Sequence, residues 1–194
     1  MSGLPSQLEV ALQVGRALEA AGCEWMIGGS IATSAYGEPR ATNDVDLVAN
    51  LRPGVCAAFV ERLGDAFYVD LDVVRDAARR GTSFNVIHFD SVEKIDVFCV
   101  RDAFAADGLK KRVDWDLGDG LVAPVAPPGH MVVEKLRWYR RGGEVSDRQL
   151  RDVQGVLQTS GDVLDLDELR RWAGELGLSD LLEDALVKAG LGER

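Results

Sequence analysis

An α/β core followed by an all-helical C-terminal part is the fold class this sequence predicts. Three observations lead there. Short apolar runs bounded by Gly, Asp and Asn recur up to residue 125, each the length of a strand. Segments with helical spacing alternate with them. Beyond Ala126-Pro127-Pro128 only the helical spacing continues. The expected organisation is therefore a core over 1–125 and a helical subdomain over 126–194.

Taken in order, Leu8, Ala11, Leu12, Gly15, Leu18 and Ala21 share one helical face, with Ser6 as a cap and Gly22 as the stop. Glu24 to Ile27 is short and apolar and runs into Gly28-Gly29, a buried strand entering a tight turn. Ser30 to Tyr36 reads as a helix opening after that turn, and Gly37 to Asn43 as loop. Asp44 to Val48 alternates and reads as a strand. Pro53 suits a first helical position, which predicts a helix through Leu63. Val73 to Arg80 is a further helix. Ser83–Phe89 and Lys94–Val100 are two strands around Asp90-Ser91, and Val113–Val125 holds two short strands. The last four helices are expected at Met131–Arg141, Asp147–Gln158, Leu166–Leu176 and Leu181–Ala189, with Asp165 and Ser179 capping the final two.

Composition excludes several classes. The 194 residues are 46% apolar and 28% charged, which is globular and not disordered. No apolar run approaches the ~20 residues needed to span a bilayer. MSGLPSQLEV lacks the basic and apolar blocks of a secretory signal. Cys23, Cys56 and Cys99 are odd in number and not in CxxC spacing, so no zinc or disulfide framework is expected; they read as buried small apolar residues in a reducing cytoplasm. A net charge of −10 argues against a broad nucleic-acid binder, while leaving room for a local nucleotide site where metal offsets the acids.

The chemistry concentrates in Gly28 to Val48. Two glycines allow a ligand to approach the backbone closely, and the helix N-terminus behind them offers free N–H groups to a phosphate. Residues two apart on a strand point to one side, so Asp44 and Asp46 project together as oxygen ligands for a divalent metal, while Val45 and Leu47 point to the core. Asp96, between Ile95 and Val97, brings a third carboxylate if its strand lies beside Asp44–Val48. Three such acids with triphosphate contacts make a two-metal phosphoryl-transfer site. Grouped acids repel, so their grouping makes most sense around a cation.

GGS, then DVD, then the Asp of KIDVF resembles the nucleotidyltransferase superfamily related to DNA polymerase beta. The resemblance covers Glu24 to Val100 and implies an α/β (α+β) nucleotidyltransferase core with a mixed β-sheet flanked by helices. It implies Asp44 and Asp46 as ligands of Mg²⁺ (or Mn²⁺), and Asp96 as a metal ligand or the base for the attacking hydroxyl. Gly29 and Ser30 would hold the NTP β- and γ-phosphates. Pro127 to Leu157 resembles the segment that follows the core in AbiEii-like nucleotidyltransferases, including the MenT-type toxins. That segment has a Lys on one helix and an Arg-Asp pair on the next, which match Lys135 and Arg151-Asp152 here, and in that family the Lys and the Asp complete the active site. Lys135 would neutralise triphosphate charge, and Asp152 would orient Lys135 or the acceptor.

Other residues carry less. Arg40 lies in the loop between Ser30 and Asp44, to reach a phosphate or to face solvent. Tyr36 reads as packing, with closing the helix or stacking near a base as the alternatives. Asn85 and His88 lie three apart on a strand and so face opposite sides, with His88 the structural one; His130 also reads as structural. Arg137, Arg140, Arg141, Arg148 and Arg151, and Lys110-Lys111-Arg112, form basic runs that suit either an RNA backbone or a solvated face. Together these readings predict a cytoplasmic Mg²⁺-dependent enzyme that transfers NMP from an NTP to an acceptor hydroxyl. By resemblance the acceptor is RNA, a tRNA 3′ end, and the protein a toxin with a cognate antitoxin and no membrane partner. The alternatives are a protein acceptor (as for an antitoxin of a HEPN toxin), a small molecule such as an antibiotic, and a non-catalytic nucleotide-binding module.

Overall fold

The computed structural model describes residues 6–37, 44–118 and 120–192. In chain order these form α1 (Gln7–Ala20), β1 (Trp25–Ile27), α2 (Gly29–Tyr36), β2 (Val45–Ala49), α3 (Cys56–Leu63), β3 (Phe67–Tyr68), α4 (Leu71–Arg80), β4 (Ser83–His88) and β5 (Lys94–Cys99). They continue with α5 (Ala103–Lys110), β6 (Val113–Asp116), β7 (Val122–Val125), α6 (Pro128–Arg141), α7 (Asp147–Ser160), α8 (Leu166–Glu175) and α9 (Ser179–Ala189). No helix among the described residues is long and apolar enough to cross a membrane. The chain divides into two compact units, the second taken up first at Gly29 and again after Val125.

The first unit holds α1, α3, α4, α5 and one seven-stranded sheet in the order β3-β4-β5-β2-β1-β7-β6. The sheet is mixed: β2 runs parallel to β5 and β1 to β7, and the other neighbours are antiparallel. Alternation along the central strands sets their burial. Val45, Leu47, Ile95 and Val97 are fully buried, as the apolar alternation predicts, while Asp46 and Asp96 between them are half-buried. α1 opens with the expected Ser6 cap, a reciprocal capping box in which Ser6 Oγ accepts from Glu9 N–H and the Glu9 carboxylate accepts from Ser6 N–H. Gly15 in α1 lies against the Trp25 indole, whose Nε1 donates to Glu19 at 2.8 Å.

The second unit is helical: α2 with α6 to α9. Its core includes Leu136, Val153, Leu157, Leu169, Leu182 and Leu186, all at or near zero exposure. Leu169, Trp172 and Ala173 of α8 are buried together, as their helical spacing predicts. Gly37 has the backbone of Gly155 and Val156 so close that a Cβ there would fall about 3.1 Å from it.

Several boundaries differ from the sequence reading. Pro53 begins a 3₁₀ turn, and the α-helix starts only at Cys56. Ser179 is the first residue of α9 and not its cap; the Leu178 N–H instead bonds Ala173 C=O at 2.8 Å, carrying the end of α8 directly into α9. Asp165 does cap α8, accepting from Glu168 N–H at 2.9 Å. The two-residue β3 and the helix α5 were not foreseen. α5 is capped by Asp102, which accepts from Ala105 N–H at 2.9 Å, and it contains a glycine.

Ala is a better helix former than Gly by ~1 kcal/mol, yet a Cβ at Gly15 would overlap the Trp25 ring. Gly15→Ala should therefore destabilise the protein by about 1–3 kcal/mol in urea unfolding, where a neutral or stabilising result would show that the ring moves freely. Burial pushes the Cys99 thiol from 9.0 up to about 12, with the Cys56 and Cys23 thiols adding to the shift, and burial pushes the Tyr36 phenol from 10.0 up to about 12. Both groups hold their protons longer folded than unfolded, so their contribution is complete below the unfolded values and is lost as pH rises. Melting temperature should fall between pH 9 and 12, with a shallower fall for Cys99→Ala. Parallel profiles for the two proteins would remove Cys99 as a cause.

Candidate functional site

The first unit carries the acidic cluster. β2 and β5 pair in parallel with Asp46 directly opposite Asp96, so the adjacency the sequence reading required is present. Asp44 stands one residue before Val45, and Lys94 one before Ile95, which is the Val45 partner. Side chains at alternate positions share a side, so Asp44, Asp46, Lys94 and Asp96 form a square on one side of the strand pair. Antiparallel β4 extends this row, with Asn85 opposite Asp96. At the other end the Gly28 N–H donates to Asp46 C=O at 2.8 Å, fixing the glycine turn against the DxD strand.

Lys94 sits inside the square. Its Nζ donates to Asp96 Oδ2 at 2.9 Å and lies 3.5 Å from Asp44 Oδ1. The hydrogen bond to Asp96, and then the charges of Asp96 and Asp44, hold the Lys94 ammonium above its ordinary range. Asp96 Oδ1 is buried and has no hydrogen-bond partner among the described residues. A buried carboxylate oxygen without a donor is costly unless a cation or another donor meets it. That orphaned oxygen, the exposed Asp44 beside it and the all-oxygen donor set fit a hard divalent ion such as Mg²⁺. As the side chains stand, no three acids, histidines or cysteines among the described residues gather closely enough to ligate one ion.

The second unit carries the Gly-Ser turn and the buried ion pair. α2 begins at Gly29, whose φ of 58° lies in the left-handed region that glycine enters without strain. Ser30 follows in the first turn, and the hydroxyls of Thr33 and Ser34 donate back to Gly29 and Ser30 C=O at 2.8 and 2.9 Å. Lys135 on α6 donates to Asp152 Oδ2 on α7 at 2.7 Å, with the two side chains only 8% and 10% exposed. The sequence reading selected these two residues by resemblance, and the fold joins them. A buried ion pair is weak evidence for stability, because the cost of drying both charges offsets their attraction. Arg151, its neighbour, is exposed.

The remaining candidates fall into place. Arg40 lies outside the described residues. His88 is structural: its Nδ1 bonds Ser91 Oγ at 2.9 Å and its ring packs edge-on against Phe67. Tyr36 and His130 are buried in the helical unit, and the three cysteines are buried and free, as expected. Much of the basic charge is already matched. Arg140 pairs with Glu144 and Asp180, both at 2.6 Å, Arg137 with Glu134, Lys111 with Asp107 and Arg112 with Glu24. The sequence reading missed Lys94, whose signal was present in KIDVF as a cation two residues before the strand acid.

Removing one partner of a buried ion pair leaves the other charged and dry. Asp152→Ala should cost about 3–5 kcal/mol in urea unfolding, and Lys135→Met with Asp152→Leu should recover most of that loss. A double variant as unstable as Asp152→Ala would show that the pair stabilises the helices outright.

No family model matches the sequence, and no curated protein does. Solved structures do. The solution structure of the antibiotic-resistance factor ANT(2'')-Ia matches at a TM-score of 0.56 and 17% identity, over 92% of this chain and 95% of that one. The crystal structure of ANT(2'')-Ia in complex with adenylyl-2''-tobramycin matches at 0.54 and 15%, over 89% and 98%. An antigenic nucleotidyltransferase-like protein from Paracoccidioides brasiliensis matches at 0.54 and 15%, over 96% and 94%. At such identities the likeness is one of fold: this chain has the fold of the nucleotidyltransferases.

Proposed function

We propose that this protein is a nucleotidyltransferase of the EC 2.7.7 type, moving NMP from an NTP to an acceptor hydroxyl with Mg²⁺ or Mn²⁺. The observation that carries the reading is the register of β2 on β5, which stands Asp46 opposite Asp96 with Asp44 alongside. Asp44, Asp46 and Asp96 are the residues that would hold the metal. Bound divalent ions supply charge compensation for the triphosphate and the developing transition state. The chain's own groups then bind and orient. The Gly29 and Ser30 N–H groups at the start of α2 donate to phosphate oxygens, helped by the helix dipole. Lys135 adds a positive donor for the triphosphate, and the 2.7 Å bond to Asp152 fixes its ammonium in one place. Arg40 is a further phosphate contact by its position in sequence.

Two classes of acceptor have support, one from resemblance and one from charge. The likeness of Pro127 to Leu157 to the AbiEii and MenT-type segment supports RNA, a tRNA 3′ end, with the protein as a cytoplasmic toxin held by an antitoxin. A second reading has its own support. ANT(2'')-Ia, whose complex contains adenylyl-2''-tobramycin, matches nearly end to end. A net charge of −10, with many of the arginines, among them Arg75, Arg112, Arg137, Arg140, Arg170 and Arg171, already ion-paired, suits a cationic small acceptor better than a polyanion.

One assay separates these readings. Each α-labelled NTP is incubated with Mg²⁺ and either total cellular RNA or a panel of aminoglycosides, beside Asp44→Asn/Asp46→Asn protein. Label should move to a tRNA-sized band with the intact protein and fall by about 100-fold or more in the variant, since the charge-stabilising centre is gone. Label on an aminoglycoside, with the same loss in the variant, would establish the second reading. Transfer that persists in the variant would overturn the mechanism, and nucleotide binding without any transfer would leave a binding module.

A further inference from the structure

We propose that Lys94 is a built-in counter-cation that competes with divalent metal for Asp44 and Asp96, so that metal enters this site with nucleotide and not alone. The inference rests on the reading of the three carboxylates as metal ligands. It makes Lys94 a positioning residue acting through those acids.

The geometry is specific. Lys94 opens β5 on the same side as Asp96, and the parallel register sets it beside Asp44. Its ammonium contacts Asp96 Oδ2 at 2.9 Å and Asp44 Oδ1 at 3.5 Å, on two of the carboxylates a metal would use. An ammonium and a divalent cation cannot share those carboxylates without strong repulsion at close range. One of them has to leave. Lys94 can do so, because its side chain is 40% exposed and carries its charge on a flexible four-carbon stem. Counted together, the square holds three negative charges and one positive. Without Lys94 the incoming metal would meet a net charge more negative by one unit. Metal alone gives the displaced ammonium no new partner. A polyanionic triphosphate does, and it arrives with its own metal.

The test is Mn²⁺ binding to the full chain without nucleotide, measured by calorimetry and by the Mn²⁺ electron paramagnetic resonance signal. Lys94→Gln and Lys94→Met should each bind Mn²⁺ about tenfold tighter than the natural protein, and Lys94→Arg should bind like it. The direction is diagnostic, because losing a merely structural residue loosens a metal site. Without metal, the two neutral variants should melt at a lower temperature than the natural protein and regain the difference when Mn²⁺ is added. Equal or weaker Mn²⁺ binding by both neutral variants would overturn the proposal. If that equal binding is abolished by Asp46→Asn, only the role of Lys94 fails. If Asp46→Asn leaves it unchanged, or no protein binds Mn²⁺ at all, the carboxylate reading fails with it.

Discussion

Like charges held close together by a rigid frame have to be met by a cation, and the acid-bearing half of this chain is arranged around that necessity. The parallel pairing of β2 with β5 is a rigid frame. It sets Asp46 opposite Asp96 with Asp44 next to them, on strands whose alternate residues are fully buried. The backbone cannot slip to relieve the repulsion. A shift by one residue would turn Val45, Leu47, Ile95 and Val97 out of the core and the acids into it. The same alternation that builds the core therefore fixes the carboxylates in a strained electrostatic arrangement. The ammonium of Lys94 answers that strain, in contact with two of the acids.

The helical unit handles charge in the opposite way. Lys135 and Asp152 neutralise one another within a dry helix pair, so the pair as a whole has no net charge. Such a cation is a poor general sink for negative charge but a well-fixed donor, since its position costs no further side-chain entropy when it acts. The acidic cluster is the reverse: strongly charged and only half-buried, and able to exchange one cation for another.

How much of this was legible in the sequence depended on what kind of signal each feature leaves. The core strands were readable because an apolar alternation of period two survives in Val45 to Ala49 and Lys94 to Cys99, and the acids were readable as its interruptions. α1 was readable from its face and from a cap that the fold retains. β3 leaves no periodicity in two residues, and its pairing with β4 depends on contacts distant in sequence. α5 was missed because Gly108 interrupts it and its cap, Asp102, is one acid among many. The basic run that follows suits an RNA backbone or a solvated face by its sequence; in the fold Lys111 pairs with Asp107 and Arg112 with Glu24, a partner 88 residues away that no local pattern could show.

Lys94 was missed for a different reason. A search by residue type gathers the acids of a metal site and ignores the base among them, because a lysine at a strand start is usually solvated. Its meaning depends on register. Two residues from Asp96 along one strand is visible in sequence; alongside Asp44 on the next strand is not. Once the register is known, the charge pattern stops being an acidic cluster with an incidental lysine and becomes a partly neutralised set with one replaceable member. The Lys135–Asp152 pair shows the same dependence on packing. Seventeen residues separate them in sequence, and only the contact of α6 with α7 turns two ordinary helix residues into a buried ion pair. In both units the chemistry lies in which charges the fold brings into contact, so the residue types narrow the function to a class while the pairings assign the roles.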